Sequence, residues 1–249
     1  PAPLEVELTT TPETHGESGL GYLSAPDHDF GDMQWLELWS SAIARNPGLH
    51  LIVTGPVTNL ADFEREHGDA VAGCGSLTIM GGAVNYRGNT TPTAEWNFWV
   101  DPHAAAHHFR TSAAPPSTLC SLEVTEQFLI TPERLAEIVG LLGTHPMADK
   151  LPEILRFYFE FHRDHDLGYI AHMHDPFAAA VALDPTIAET RAYPVDVELT
   201  GSLTRGTTIA DVHGSWNRPD TAQVAVATDQ AAFFDDLIDS IAGLARARG

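Results

Sequence analysis

Positive charge is what this chain has least of. Lys150 is its only lysine, and 13 basic side chains stand against 34 acidic ones, for a formal net charge of -21 at pH 7. Neutralising a phosphate backbone needs clustered Lys and Arg, so nucleic acid is not an expected partner, and a neutral small ligand or a bound cation suits the chain better. Cysteine is scarce as well. Cys74 and Cys120 cannot build a disulfide framework, and no Cys/His spacing matches a zinc site, so a reducing cytoplasm is the expected compartment. Long apolar runs are missing too: no window approaches the ~18 residues of a membrane span, and no basic segment leads into an apolar one, so neither a membrane partner nor a leader is expected.

What the chain does have is the rhythm of an α/β sheet. Short apolar runs at Leu49 to Thr54, Ser76 to Met80 and Ser117 to Ser121 are each followed by a glycine-rich or polar turn or by a helical pattern. The first is nearly continuous in apolar character, as a buried parallel strand is. Gly55-Pro56 ends it, and Thr58-Asn59 opens a helix from Leu60. Further helices are predicted at Gln34 to Arg45, from Asp101-Pro102 (an N-cap with Pro in the first turn), and at Pro132 to Leu142, Leu151 to Arg163, Pro176 to Ala182 and Gln230 to Ala247. The 249 residues carry no repeat or linker, and residues 1–249 are expected to form a single domain with an open, mostly parallel sheet flanked by helices.

The densest chemistry lies in Met80 to Pro102, MGGAVNYRGNTTPTAEWNFWVDP. It sets Asn89, Glu95 and Asn97 on one glycine-rich loop beside a strand. Read as extended backbone, Glu95 and Asn97 fall on one side and Trp96 on the other. A carboxylate with an amide is a grip for vicinal hydroxyls; a polar loop around a buried Trp is the competing reading. Ligands in open parallel sheets collect at the carboxyl ends of strands, where Thr54, the Met80 loop and His172-Met173-His174-Asp175-Pro176 all fall. His174-Asp175 offers an acid or base beside a carboxylate suited to a metal, or simply a helix cap with an exposed neighbour. A hard cation takes about six to eight oxygens, so Asp175 needs partners such as the Thr54 carbonyl.

These blocks resemble a known family. Val53 to Ala61 (VTGPVTNLA), the MGGAV…GN…AEWNFWVDP stretch, HDPFAAAVALDP from His174, Thr14 to Gly21 (THGESGLG) and Pro194 to Asp211 (PVDVELTGSLTRGTTIAD) are similar to the ordered blocks of the inosine-uridine preferring nucleoside hydrolases. The resemblance implies a calcium-dependent enzyme that cleaves ribonucleosides to free base and ribose through an oxocarbenium-like transition state, working as a homodimer or homotetramer. It implies that the Thr54 carbonyl and Asp175 hold calcium, that Asn89, Glu95 and Asn97 hold the ribose hydroxyls, and that His174 protonates or hydrogen-bonds the departing base. It also suggests His15, Tyr158 and His162 as pocket residues, the last two sharing a face if their segment is helical. Trp96 is a candidate for the base or 5'-hydroxyl side, and core packing is the competing role for each aromatic. His174 in place of Trp before the metal Asp is closer to the inosine-uridine or pyrimidine branch.

One departure stands out. The family begins with a strand ending in an aspartate cluster, DxDxxxDD, which supplies most of the calcium carboxylates and the base for water. No such cluster lies near the start of this chain. Asp27, Asp29 and Asp32 follow the HGES segment with no apolar strand before them and read as a solvated acidic loop. The expectation is a chain lacking the first strand, and with it either a hydrolase completed elsewhere, a silent nucleoside-binding relative, or an α/β scaffold.

Overall fold

The computed structural model describes residues 3, 5–24, 34–112 and 114–247. In chain order its strands are β1 His50–Val53, β2 Ser76–Met80, β3 Ser117–Cys120, β4 Leu129–Ile130, β5 Ala171–His172, β6 Ala188–Tyr193, β7 Val195–Val197, β8 Thr208–Ala210 and β9 Ala222–Thr228. Its helices are α1 Pro12–His15, α2 Trp35–Arg45, α3 Thr58–Val71, α4 Trp96–Val100, α5 Pro102–Thr111, α6 Leu122–Thr125, α7 Pro132–Leu142, α8 Met147–Asp164, α9 His174–Leu183 and α10 Gln230–Ala247. They fall into two compact units. One comprises Pro1–Leu8, Asp32–Glu126 and His174–Thr228; the other comprises Thr9–Gly31, Gln127–Met173 and Asp229–Gly249.

The first unit carries a five-stranded sheet in the order β1-β2-β3-β9-β6. β1, β2, β3 and β9 run parallel, with Ile52 beside Thr78, Ile79 beside Leu119 and Leu119 beside Val224, and β6 closes the far edge antiparallel to β9. This is the mixed, mostly parallel α/β sheet expected from the sequence. Its core follows from the continuous apolar strands: Leu77, Ile79, Leu119 and Val224 pack with Leu60, Phe98 and the small-residue run Ala104 to Ala106. Alanines at that contact let α5 lie close to the sheet. On the α2 side Ile43, Phe63, Val71 and Cys74 are covered by Trp35 and Trp39. Phe63 is wholly buried, and burying such a side chain contributes about 1.5 to 3 kcal/mol.

The second unit packs α7 against α8 and α10 against α7, with Ile130, Leu135, Ile138, Phe159 and Ala171 at its centre. Thr131 caps α7, its hydroxyl accepting from the Arg134 amide at 3.4 Å with Pro132 in the first turn. α8 starts four residues before the predicted Leu151 and runs through Pro152. A proline there lacks only one amide donor near the helix start, and the amphipathic face from Leu151 to Phe159 outweighs that loss. α9 likewise begins at His174, ahead of Pro176, because first-turn amides have no intrahelical partner to lose. The acidic loop of Asp27, Asp29 and Asp32 lies outside the described residues.

Candidate functional site

The parallel strands of the first unit deliver three segments to one edge: Thr54 after β1, the glycine loop after β2, and α4. The extended backbone expected across Glu95 to Asn97 is corrected here. Only Glu95 is extended; Trp96 and Asn97 open a five-residue helix, and Glu95 is its cap. Its carboxylate makes that helix possible. Oε1 accepts from the Asn97 amide at 2.8 Å, and Oε2 accepts from the amides of Gly82 at 2.8 Å and Phe98 at 3.2 Å. Gly82 sits at φ +74°, and a Cβ there would lie 2.7 Å from the Thr208 hydroxyl and 3.0 Å from the Phe98 ring, so only glycine lets the loop pass this close. Asn89 reinforces the same helix start, its Oδ1 accepting from the Trp96 amide at 3.0 Å.

Asn97 faces the strand ends. Its amide nitrogen donates to the Met80 carbonyl at 3.1 Å and lies 3.5 Å from the Thr54 carbonyl, which joins the exits of β1 and β2. Asn97 and Glu95 are both buried. Loss of solvent drives the Glu95 carboxyl up to about 7, against the pull of its three backbone donors, and the nearby Asp175 adds to the rise. Asp175, at the start of α9, is pushed up to about 6 by desolvation. It still presents open surface; an accessible group in a concave surround can be both reachable and poorly hydrated. Next to it, His174 Nδ1 lies 2.7 Å from the Thr125 hydroxyl at the end of α6, a contact across 49 residues that no local pattern signals. Trp96 is half-buried, its ring 5.8 Å from that of Trp99.

Thr54, Asn89, Glu95, Trp96, Asn97, His174 and Asp175 therefore all belong to the first unit. His15, Tyr158 and His162 belong to the second. There the predicted spacing on α8 brings the Tyr158 and His162 rings to 4.4 Å edge to face, and His15 sits 5.5 Å from Tyr158. Thr14, His15, Ile154, Leu155 and Tyr158 line a small pocket of about 80 Å³. Desolvation lowers the pKa of both His15 and His162, and for His162 the positive forms of His165 and His15 lower it further. Both imidazoles are thereby biased to the neutral form.

The donors at the strand ends are of the kind a hard cation takes: a carboxylate, a backbone carbonyl and, beside them, a second carboxylate. Loss of solvent pushes both the Asp175 and Glu95 carboxyls up, and a bound cation would favour their charged forms. The set is short, since the described residues contain no group of three or more His, Cys, Asp or Glu able to hold a metal ion.

Over nearly all its length the chain is similar to known proteins. The model of the inosine-uridine preferring nucleoside hydrolases matches residues 1–235. The pyrimidine-specific ribonucleoside hydrolase RihA of Shewanella sp. (strain MR-4) is 35% identical over 244 residues, covering 96% of this chain and 75% of the relative. Among solved structures, a purine-preferring ribonucleoside hydrolase from Gardnerella vaginalis superposes with a TM-score of 0.86 at 30% identity, over 99% of this chain and 78% of the other. A plant nucleoside hydrolase superposes at 0.83 with 25% identity, over 97% and 78%.

Proposed function

The chain belongs to the inosine-uridine preferring nucleoside hydrolase family, and from that premise we propose that it hydrolyses the N-glycosidic bond of ribonucleosides to free base and ribose with the help of calcium. The observation that carries the reading is the meeting of Asn97, Glu95, the Thr54 carbonyl and Asp175 at one edge of the parallel sheet. Asn97 spends its side-chain nitrogen on the Met80 and Thr54 carbonyls and offers Oδ1 as an acceptor for a sugar hydroxyl. Glu95 spends three of its lone-pair positions on backbone amides, so it holds the loop and helix in place and offers the sugar its remaining acceptor capacity. Asn89 likewise spends its Oδ1 on the Trp96 amide and has its side-chain nitrogen to give a sugar hydroxyl. The Thr54 carbonyl and the Asp175 carboxylate are the donors of this chain that would hold the ion. When bound, calcium supplies the positive charge that acidifies a neighbouring water and steadies the sugar hydroxyls.

The carboxylates under the sugar favour the positive charge that develops as the glycosidic bond opens. His174 hands a proton to the departing base. The Thr125 hydroxyl, 2.7 Å from Nδ1, orients the imidazole. Trp96 is assigned to the 5'-hydroxyl side of the sugar; in the second unit the neutral imidazoles of His15 and His162 and the Tyr158 ring are of a kind suited to a flat heterocycle. The reading treats residues 1–249 as one functional domain acting in the cytoplasm as a homodimer or homotetramer; the free, buried Cys74 and Cys120 accord with a reducing compartment, and among the described residues no helix is long and apolar enough to cross a membrane. A second reading, a nucleoside-binding relative without turnover, draws on the short donor set.

The test is ribose release from inosine and uridine by chelator-stripped protein, with and without added calcium. Turnover restored by calcium in the parent and lost in Asp175→Asn is the expected result. Nucleoside binding without ribose release at any calcium concentration would establish the second reading instead.

A further inference from the structure

The segment leaving β1 and the segment carrying α4 are tied together twice at the same spacing. Asn97 Nδ2 approaches the Thr54 carbonyl across 43 residues of chain. Four positions further along both segments, the Thr58 hydroxyl donates to Asp101 Oδ2 at 2.6 Å, again across 43 residues. Both partners are buried, Thr58 at 5% exposure and Asp101 at 0%. A short hydroxyl-to-carboxylate bond out of water is among the stronger and more directional contacts a fold has. Asp101 is also the hinge point of its own segment: it ends α4, and its Oδ1 accepts from the Ala104 amide at 3.1 Å to start α5.

We propose that Thr58 and Asp101 are positioning residues for the hydrolysis, a latch that sets the distance between the Thr54 carbonyl and the Asn97 amide and thereby the grip on the sugar hydroxyls. The proposal rests on the sugar-binding reading above. Thr58 does not cap its own helix, whose preceding residue Val57 makes no side-chain cap; the hydroxyl is committed to the other segment. α3 and α5 meet a second time deeper in the unit, where Glu64 Oε1 takes His108 Nδ1 at 2.7 Å and the Ser112 hydroxyl at 2.6 Å. That contact joins the same two helices with similar burial, and through His108 Nε2 and the Ser117 hydroxyl at 3.1 Å it reaches the amino end of β3, not the carboxyl ends where Thr54 and Asn97 meet, which makes it the internal control. A small displacement of groups that must fit a substrate costs far more in rate than in stability.

The experiment uses the full chain and three variants, Thr58→Val, Thr58→Ser and Glu64→Gln. It reads the ratio of kcat/KM for uridine over 2'-deoxyuridine together with hydrogen exchange in residues 54–57 and 95–101. Thr58→Val is expected to lower the ratio about tenfold and to speed exchange in both segments, Thr58→Ser to stay within about twofold of the parent, and Glu64→Gln to lose stability with the ratio intact. A ratio and exchange pattern unchanged in Thr58→Val would overturn the latch, as would an equal fall in the ratio for Glu64→Gln. Should Thr58→Val not fold, Asp101→Asn takes its place, since the amide keeps an acceptor for Ala104 while weakening the bond from Thr58, and unchanged exchange in both segments overturns the latch there too. A parent that releases no ribose from uridine sinks the hydrolase reading, and exchange alone still decides the latch.

Discussion

Replacing Glu95 by Gln should change the stability of the protein with a sign that depends on pH. In the folded chain the Glu95 carboxyl sits at about 7 against an ordinary 4.5, because it is held away from water. At about 1.4 kcal/mol for each pH unit, the difference corresponds to about 3 kcal/mol. Between those two values the unfolded chain has released the proton that the folded chain still holds. The folded state therefore binds more protons there, and stability falls as pH rises through the window. Below 4.5 both states are protonated and the penalty is gone; above 7 both are ionised and it is fully present. Glutamine removes this slope. It also breaks hydrogen bonding, since an amide nitrogen must then face the amide of Asn97, or those of Gly82 and Phe98, at about 1 to 3 kcal/mol for the unsatisfied donors.

The two effects oppose each other, and pH decides which wins. Near pH 4.5 Glu95→Gln should be less stable than the parent by about 1 to 3 kcal/mol, and by pH 7.5 the burial penalty it escapes should close or reverse that gap. The assay is urea denaturation of both proteins at a series of pH values in chelator, so that no cation lowers the carboxyl. Parallel curves for parent and variant across pH 4.5 to 7.5 would refute the reasoning, for they would mean that Glu95 is ionised in the fold throughout.

His174→Ala should lower kcat/KM for inosine and uridine by about 10² to 10⁴ while sparing a p-nitrophenyl riboside, whose leaving group needs little protonation; equal losses on both would assign His174 a positioning role. In the second unit, Gly21→Ala should loosen the turn after α1 by about 1 to 3 kcal/mol, because Gly21 holds φ +62° and a Cβ there would lie 2.8 Å from the Ile154 carbonyl and 3.0 Å from the Phe157 side chain. Faster proteolytic cleavage in residues 16–24 is the expected readout, and an unchanged rate would show that the turn relaxes without cost.

What the sequence shows and hides here follows the range of the interactions concerned. β2, α7 and α10 are found with the predicted bounds, because apolar continuity, a Thr-Pro start and a long amphipathic stretch are local signals. α4 is hidden for the opposite reason. Three residues of alternation fit a strand or the first turn of a helix equally well, and what selects the helix is a carboxylate at its own cap, the Asn89 side-chain oxygen accepting from the Trp96 amide, and the Gly82 amide, 13 residues back, donating to Glu95. Glu95 and Asn97 are legible by type as candidates; that one is spent largely on backbone and the other is turned to the strand ends belongs to folded geometry. The same holds for Thr58. Its place before an apolar run suits an N-cap, yet Asp101 takes its hydroxyl, since a buried carboxylate gains more from a hydroxyl donor than a helix start open to other partners loses without one. Local patterns locate the residues with chemistry, and long-range desolvation decides which of their atoms remain for a ligand.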